Sequence, residues 1–252
     1  MEVRRYYFKE EEPQKIAHIG DIHVGIKDSD LDCAERAFEM VETNNMWMVG
    51  MGDYCEYREP SHKYYDREQS TMTIDEQLNW LFKNLNKVGR RKLGLLIGNH
   101  EGRSIKKMTL NPIKDYCERT NTDYYGMMAK LAFVFPSGKE YTMLVHHGYG
   151  DSRTSGGKVT SLTNFVKSHD VDSVVIGHGH ALFDWVETEL LYPGDRIRHR
   201  YKMCGMSGTF LRTYTQGASG YSEERMYEPV PLGFLITNID PMKGISMQKV
   251  LF

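Results

Sequence analysis

Short apolar runs alternate along the chain with segments whose apolar residues recur at helical spacing. The apolar runs have the length of strands and are bounded by turn-forming or helical segments. Nine strands are predicted on this basis, at residues 16–19, 46–49, 93–97, 131–135, 141–145, 173–176, 185–191, 198–203 and 234–239. The segment Pro136-Ser137-Gly138-Lys139 is typical of a hairpin turn between two of them. The alternation predicts an α/β protein built from stacked layers.

Four helices are predicted from starting signals. They are expected after Ser29 or Asp30 to about Val41, after Thr73 through Leu85, from Pro112 to about Cys117, and after Thr160 or Ser161 to His169. Thr73 is the clearest start, because it forms a capping box with Glu76 ahead of apolar residues at helical spacing. From Pro193 onward glycine, tyrosine and proline are frequent, which predicts loops with some strand.

No repeat, low-complexity tract or linker interrupts the sequence, so a single domain over residues 1–252 is expected. Its C-terminal strands and loops are placed at about 185–252. The net charge of −2 gives no global electrostatic reason to bind nucleic acid or membranes, but it is compatible with a local basic patch. Four cysteines without C-x-x-C spacing, and an N-terminus without a signal-like apolar core, predict free thiols in a cytoplasmic protein. No apolar run has the length of a bilayer span.

Five apolar runs end in glycine together with Asp, Asn or His. The segments are Gly20-Asp21-Ile22-His23, Gly52-Asp53, Gly98-Asn99-His100-Glu101, His146-His147-Gly148 and Gly177-His178-Gly179-His180. Ligands of open α/β sheets bind at the carboxyl ends of strands, and side chains two apart on an extended segment face the same way. A single Asp-x-His or His-x-His is most often a surface feature or a satisfied core pair. Five such segments at five strand ends instead indicate one shared site.

The residue types of this set favour a transition-metal site. Carboxylate, imidazole and amide oxygen ligands suit manganese, iron or zinc better than calcium or magnesium, which prefer oxygen alone. About seven candidate ligands are too many for one tetrahedral ion, so two divalent metal ions are expected, with Asp53 as their bridge. Two metals roughly 3.5–4 Å apart can clamp the attacking and leaving oxygens of a phosphoryl transfer. Manganese is favoured, with iron, zinc or nickel as alternatives.

The segments GDIH, GD, GNHE, VHHG and GHGH, in this order, resemble the motifs of the calcineurin-like metallophosphoesterase superfamily, which has phage and prokaryotic members. The resemblance covers residues 20–180 and implies a four-layer α/β/β/α sandwich with a dinuclear metal site. It implies Asp21, His23, Asp53 and His180 at one metal, and Asp53, Asn99, His178 and His146 at the other. His147 is the alternative ligand to His146 and otherwise a substrate contact. A water or hydroxide that bridges the metals would be the nucleophile.

The resemblance also implies roles for two catalytic residues, Asp53 as the bridge and His100 beside the metals. As an imidazolium, His100 would stabilise the charge on the transferring phosphoryl group or protonate the leaving group. A purely structural His100 is the alternative. The phosphoprotein phosphatase branch continues its second motif as GDxxDRG, but this chain has GDYCEY and lacks the arginine that grips phosphate in that branch.

Two further segments carry candidate substrate contacts. Residues 54–72 resemble a variable insertion, and Arg58, Lys63 and Arg67 within it are either phosphate contacts or part of a solvated loop. The glycine-rich segment after His147 carries Arg153 and Lys158 ahead of a helix, which predicts either a phosphate-binding loop or a flexible lid. Arg153 is the candidate substrate contact there.

The function predicted from these residues is hydrolysis of a phosphoester, with a phosphodiesterase or nuclease as the first hypothesis. A diester has fewer anionic oxygens to bind than a monoester, which fits the scarcity of arginine among the motifs. The second hypothesis is a phosphomonoesterase acting on a nucleotide, metabolite or protein, and the third is a non-catalytic binding module on the same fold. The expected partner is a phosphoester substrate, with nucleotides and nucleic acids among the candidates, and neither a membrane nor an obligate protein partner is inferred.

Overall fold

The fold is taken from a computed structural model that describes residues 1–58, 65, 67–150, 155–217, 220–224 and 226–252. Within these residues the strands are β1 Glu2–Tyr7, β2 Gln14–Ile19, β3 Trp47–Gly50, β4 Lys92–Leu96, β5 Asp123–Gly126, β6 Met128–Val134, β7 Glu140–His146, β8 Ser173–Ile176, β9 Leu182–Leu191, β10 Arg198–Thr209, β11 Gly233–Asp240 and β12 Gly244–Leu251. The helices are α1 Leu31–Thr43, α2 Ile74–Val88, α3 Asn99–Met108, α4 Pro112–Thr120, α5 Ser155–Lys167 and α6 Tyr221–Glu224, with one 3₁₀ turn at Gly89–Arg91.

The strands form one hydrogen-bonded path with two parts. In the first part the order is β1-β6-β7-β8-β10-β9, and in the second it is β12-β11-β2-β3-β4-β5. Strand β10 joins the two, because its residues Arg198–Ser207 pair with β9 while Gly208 and Thr209 pair with β11. Strands β2, β3, β4 and β5 are parallel, so their carboxyl ends lie along one edge.

The core consists of three clusters of buried apolar residues. One packs helices α1, α2 and α4 on the second part of the path, and another packs α5 on β7, β8 and β10. Between them lies a cluster that takes side chains from both parts. Successive residues of β8 alternate accordingly, since Val174 and Ile176 face α5 and Val175 faces the middle cluster. The α/β class is confirmed, while the order of the four layers stays a prediction that these clusters support.

All nine predicted strands are present, and three more were missed. Strand β1 alternates half-buried and exposed residues and carries two arginines, β5 has only four residues, and β12 is largely exposed. None of the three has the continuous apolar run on which the prediction depended. The turn at 136–138 joins β6 to β7 as predicted, with Gly138 N donating to Phe135 O at 2.9 Å.

Three predicted helix starts are confirmed, at Asp30, Thr73 and Pro112. The start expected at Thr160 or Ser161 was wrong, because α5 already begins at Ser155. Helix α3 was missed, since it begins within the GNHE motif and has glycine at its N-cap in place of a polar capping side chain. All four cysteines are buried as free thiols. No helix in the described ranges is long and apolar enough to cross a membrane.

Candidate metal centre

The motif residues lie where β2, β3, β4, β7 and β8 end, and their backbone turns there. Five of them have positive φ values of 46–64°, namely Asp21, His23, Asp53, His178 and His180. This left-handed conformation costs of the order of 1–3 kcal/mol for a residue other than glycine, and such residues cluster at functional sites. The turns direct these side chains toward one another across the sheet ends.

Asp21, His23 and His180 form the first group of donors. His23 Nε2 lies 3.0 Å from His180 Nε2, and His180 Nε2 lies 3.5 Å from Asp21 Oδ1. His23 Nδ1 donates to Glu56 Oε2 at 2.8 Å, which leaves the Nε2 lone pair of a neutral ring facing His180. Two imidazole nitrogens at this distance need a proton or a cation between them.

Asp53, His147 and His178 form the second group. His147 Nε2 lies 3.2 Å from Asp53 Oδ2 and 3.1 Å from Asn99 Oδ1. Nδ1 of the same ring donates to the Met51 carbonyl at 2.8 Å, so Nε2 is the atom presented to the group. His178 Nδ1 lies 3.9 Å from Asp53 Oδ2.

Backbone hydrogen bonds hold the two groups side by side. Asp21 Oδ2 accepts from the amide of His178 at 2.9 Å, and the carbonyl oxygen of Asp53 accepts from the amide of His23 at 3.1 Å. Each group therefore contacts a residue of the other, as a paired site requires. Whether Asp53 itself bridges two ions stays a prediction.

His146, the favoured ligand in the sequence analysis, lies outside both groups. Its Nδ1 accepts from the amide of Gly148 at 2.6 Å, and its ring packs against Phe165 of α5 with centroids 5.3 Å apart. His147 is instead fully buried beside Asn99 and Asp53. The geometry thus reverses the order of preference, because adjacent residues at a strand end face opposite sides of the sheet.

The donors present fit a bound cation. Among the described residues, Asp21 Oδ1 and His178 Nδ1 are buried without a hydrogen-bond partner. Burial, together with the nearby Asp53 carboxylate, raises the pKa of Asp21 to about 6. Burial alone would lower the pKa of His147, but the Asp53 carboxylate outweighs it and raises that pKa to about 10. Both shifts mean that the pocket favours added positive charge, which divalent cations held by these carboxylate, imidazole and amide donors would supply.

His100 lies beside the first group. Its ring meets that of His23 edge-on with centroids 4.8 Å apart, and its amide donates to Asp53 Oδ1 at 2.8 Å. Its Nδ1 donates to the Glu56 carbonyl at 2.9 Å, which leaves Nε2 as the nitrogen available to a substrate. The position agrees with the role implied by the resemblance, while the role itself stays a prediction.

Glu56 is a site residue that the sequence analysis missed. Its carboxylate is 3% exposed, bonds His23 Nδ1, lies 3.5 Å from His100 Nδ1 and pairs with Arg58. Burial alone would raise the pKa of Glu56, but the charges of His100 and His23 outweigh it and lower the pKa to about 2. The one feature of the sequence that could have suggested Glu56 is its position in the segment DYCE, where it is the first acidic residue after Asp53.

The Glu56→Gln variant is expected to bind divalent metal roughly tenfold more weakly or worse. A carboxylate on the second ring nitrogen of a metal-binding histidine fixes its tautomer and raises its basicity, and loss of such a partner typically lowers metal affinity 10–100-fold. Calorimetric titration with Mn²⁺ measures the change. Glu39→Gln is the matched control, since among the described residues Glu39 forms a solvent-accessible ion pair with Lys87 far from the site. Equal affinity of both variants would contradict the assigned role of Glu56.

Glu101 holds the loops after β3 and β4 together. Its Oε2 accepts from the amides of Asp53 at 2.9 Å and Gly98 at 2.8 Å, and its Oε1 accepts from the amide of Tyr54 at 2.9 Å. A Cβ atom at Gly98 would overlap Asp53 Oδ1, so glycine is required for this close approach. The GNHE motif thus positions Asp53 as well as contributing Asn99 and His100.

A family model described as calcineurin-like phosphoesterase matches residues 14–182, which is more than half of the chain and includes every residue from Asp21 to His180. The chain belongs to the calcineurin-like phosphoesterase family. The recognition based on the five motifs is thereby confirmed. A search of curated proteins finds no match.

Several solved structures resemble this calcineurin-like phosphoesterase at low identity. Vps29 complexed with zinc from Entamoeba histolytica is 14% identical, with a TM-score of 0.41 over 94% of this chain and 99% of that one. GAP50, the anchor in the inner membrane complex of Plasmodium, is 13% identical, with a TM-score of 0.45 over 95% and 85%. A metallophosphoesterase from Sphaerobacter thermophilus is 13% identical, with a TM-score of 0.44 over 94% and 88%. These likenesses are too weak to carry an inference about function.

The candidate substrate contacts of this family member differ in their distance from the two donor groups and in whether the structure describes them. Arg153 and Lys63 lie outside the described residues. Arg58 pairs with Glu56, and Arg67 is exposed. Lys158, in the first turn of α5, donates to the Gly179 carbonyl at 2.6 Å and so lies against the loop that carries His178 and His180. His147 belongs to the second donor group and is a ligand candidate there.

Proposed function

We propose that the protein is a metal-dependent phosphoester hydrolase that prefers phosphodiesters, as a phosphodiesterase or nuclease with two divalent cations. The observation that carries the proposal is the pair of adjoining donor groups, Asp21-His23-His180 and Asp53-His147-His178, with His100 at their side. Bound cations would polarise a phosphoryl oxygen and lower the pKa of a water molecule. Manganese is favoured by the mixed nitrogen and oxygen donors.

The side chains divide the remaining tasks. Asp21, His23 and His180 would hold one cation, and Asp53, Asn99, His147 and His178 the other. His100 would present Nε2 to the phosphoester, where an imidazolium would stabilise developing charge or give a proton to the leaving oxygen. Burial lowers the pKa of His100, so this protonated form would depend on the negative charge of the bound phosphoester. Glu56 and the Met51 carbonyl keep His23 and His147 oriented, so that the ligand nitrogens need no rearrangement when a cation binds.

Two alternatives remain. A phosphomonoesterase would use the same metal donors. A monoester carries one more anionic oxygen than a diester and would need a further cation to bind it, but the described motif residues include no arginine that faces both groups. A non-catalytic binding module is disfavoured because every motif position that the resemblance requires, His100 included, is occupied by the expected residue type.

Comparison of a chromogenic phosphodiester with the matching monoester tests the proposal. We expect the diester to be hydrolysed faster with Mn²⁺, not at all with EDTA, and at least tenfold more slowly by the His100→Ala variant, since general acid catalysis contributes roughly 10²–10⁴-fold. Preference for the monoester would favour the phosphomonoesterase. Bound metal without turnover of either ester would favour the binding module.

A further inference from the structure

Helix α3 carries a row of cations that leads away from the candidate metal centre. The helix begins at Asn99, and His100, Glu101 and Ser104 are buried on its inner side. Arg103, Lys106 and Lys107 lie to one side of this buried row and are all exposed. Their spacing of three and four residues puts them on one face. The inner side therefore belongs to the site, and the outer side forms a basic face.

Some cations on the other helices pair with an acidic side chain. Lys87 pairs with Glu39, Lys114 with Glu118, and Lys167 with Glu187. In the part of the chain that the structure describes, no acidic side chain pairs with Arg103 or Lys106. Lys106 and Lys107 stand in the last turn of α3, where cations stabilise a helix, whereas Arg103 stands a turn earlier and gains less from its position.

We infer that the basic face of α3, formed by Arg103, Lys106 and Lys107, binds the backbone of a nucleic acid strand whose scissile phosphodiester lies at the metal centre. The inference rests on the proposed diester hydrolysis and names the substrate class for it. A small diester has a single phosphate and cannot reach this face while it occupies the centre. A nucleic acid is a phosphodiester that repeats the anionic group along a chain, as contact with both the centre and this face requires.

The dimensions agree with this arrangement. At 1.5 Å per residue, Arg103 lies about 6 Å and Lys107 about 12 Å beyond Asn99 along the helix axis. Phosphates recur every few ångströms along a nucleic acid strand, so side chains of this length would meet the phosphates next to the scissile one. These contacts would be electrostatic and independent of base sequence. The overall charge of −2 does not oppose them, because the three cations act locally.

The test compares the wild type with the triple variant Arg103→Gln, Lys106→Gln, Lys107→Gln. Its readout is the ratio of kcat/KM for single-stranded oligonucleotides to kcat/KM for a chromogenic small diester, with DNA and RNA assayed separately. We expect this ratio to fall at least tenfold in the variant for one or both nucleic acids. The slope of log kcat/KM against log salt concentration for the oligonucleotide should become less steep by about 2, since each of the three phosphate contacts on a single strand contributes roughly 0.7 to that slope.

Lys83→Gln with Arg90→Gln is the matched control. Both residues are exposed. Lys83 lies in the C-terminal half of α2 and Arg90 just after it, immediately before β4 begins. The site lies at the carboxyl end of β4, so both control residues are at the opposite end of that strand. The control should leave the ratio unchanged. An unchanged ratio in the triple variant, or a wild type that cleaves the small diester but no oligonucleotide, overturns the inference and leaves the proposed function standing. A wild type that cleaves neither removes the proposed function itself.

Discussion

The Asp53→Asn variant is expected to lose metal-dependent activity by roughly a thousandfold or more, because a catalytic metal supplies several kcal/mol of transition-state stabilisation. Asp53 is 1% exposed, and its Oδ2 faces both His147 and His178. Asparagine keeps the shape of the side chain but removes the negative charge that a cation requires. Hydrolysis of a phosphodiester across a Mn²⁺ titration measures the loss.

Thermal unfolding gives a second measurement that does not depend on catalysis. A ligand at one hundred times its Kd stabilises the folded state by about 2.7 kcal/mol per site, which corresponds to a rise in Tm of roughly 5–10 °C for a chain of this size. We expect Mn²⁺ to produce such a rise in the wild type and a much smaller one in Asp53→Asn. Lys167→Gln, at the far end of α5, should behave as the wild type. An undiminished rise in Asp53→Asn would contradict the placement of Asp53 at a cation.

The parts of the site that could be predicted follow from local rules. Glycine next to Asp, Asn or His at the end of an apolar run marks a strand that stops at a ligand, and parallel strands bring such ends to one edge. Of the two pairs suggested by spacing alone, Asp21 and His23 lie in one donor group, whereas His178 and His180 divide between the two groups. Their left-handed backbone conformations were not predicted, because those depend on contacts across the sheet such as His178 N to Asp21 Oδ2.

The parts that were missed depend on contacts between distant segments. Glu56 is separated by 33 residues from His23, and its place close to Asp53 in the sequence does not indicate that its partner is His23. Helix α3 was missed because its first turn is also the metal motif and glycine stands at its N-cap in place of a polar capping side chain. Strands β1 and β5 lie at the ends of the hydrogen-bonded path and are stabilised by contacts such as Arg4 Nε to Asp123 Oδ1 at 3.0 Å.

The preference for His147 over His146 as the candidate ligand agrees with the alternation of side chains along β7. Met143 and Val145 of β7 face the middle cluster, whereas Leu144 faces α5. Continued alternation puts His146 on the side of Leu144, toward Phe165. The alternation alone does not decide between the two histidines, because the sequence leaves open which face of β7 is turned toward the other sheet.

We therefore expect the variants His147→Ala and His146→Ala to differ strongly in activity and in Mn²⁺ affinity. Loss of His147 removes the nitrogen that meets Asn99 and Asp53, and activity and Mn²⁺ affinity should each fall roughly a hundredfold or more. Loss of His146 removes a ring that packs on Phe165, which should lower the free energy of unfolding by about 1 kcal/mol and leave activity within about threefold.

Each variant serves as the control for the other, since the two residues are adjacent and the substitution is the same. Activity, Mn²⁺ binding and unfolding by denaturant should be measured on both. A larger loss of metal affinity in His146→Ala than in His147→Ala would mean that His146 is the ligand in the second donor group. The end of β7 would then have to be shifted by one residue, so that the side chains of His146 and His147 exchange faces of the sheet. The present geometry opposes this, because His147 Nδ1 is already bound to the Met51 carbonyl and Gly52, at φ +88°, leaves room for its ring.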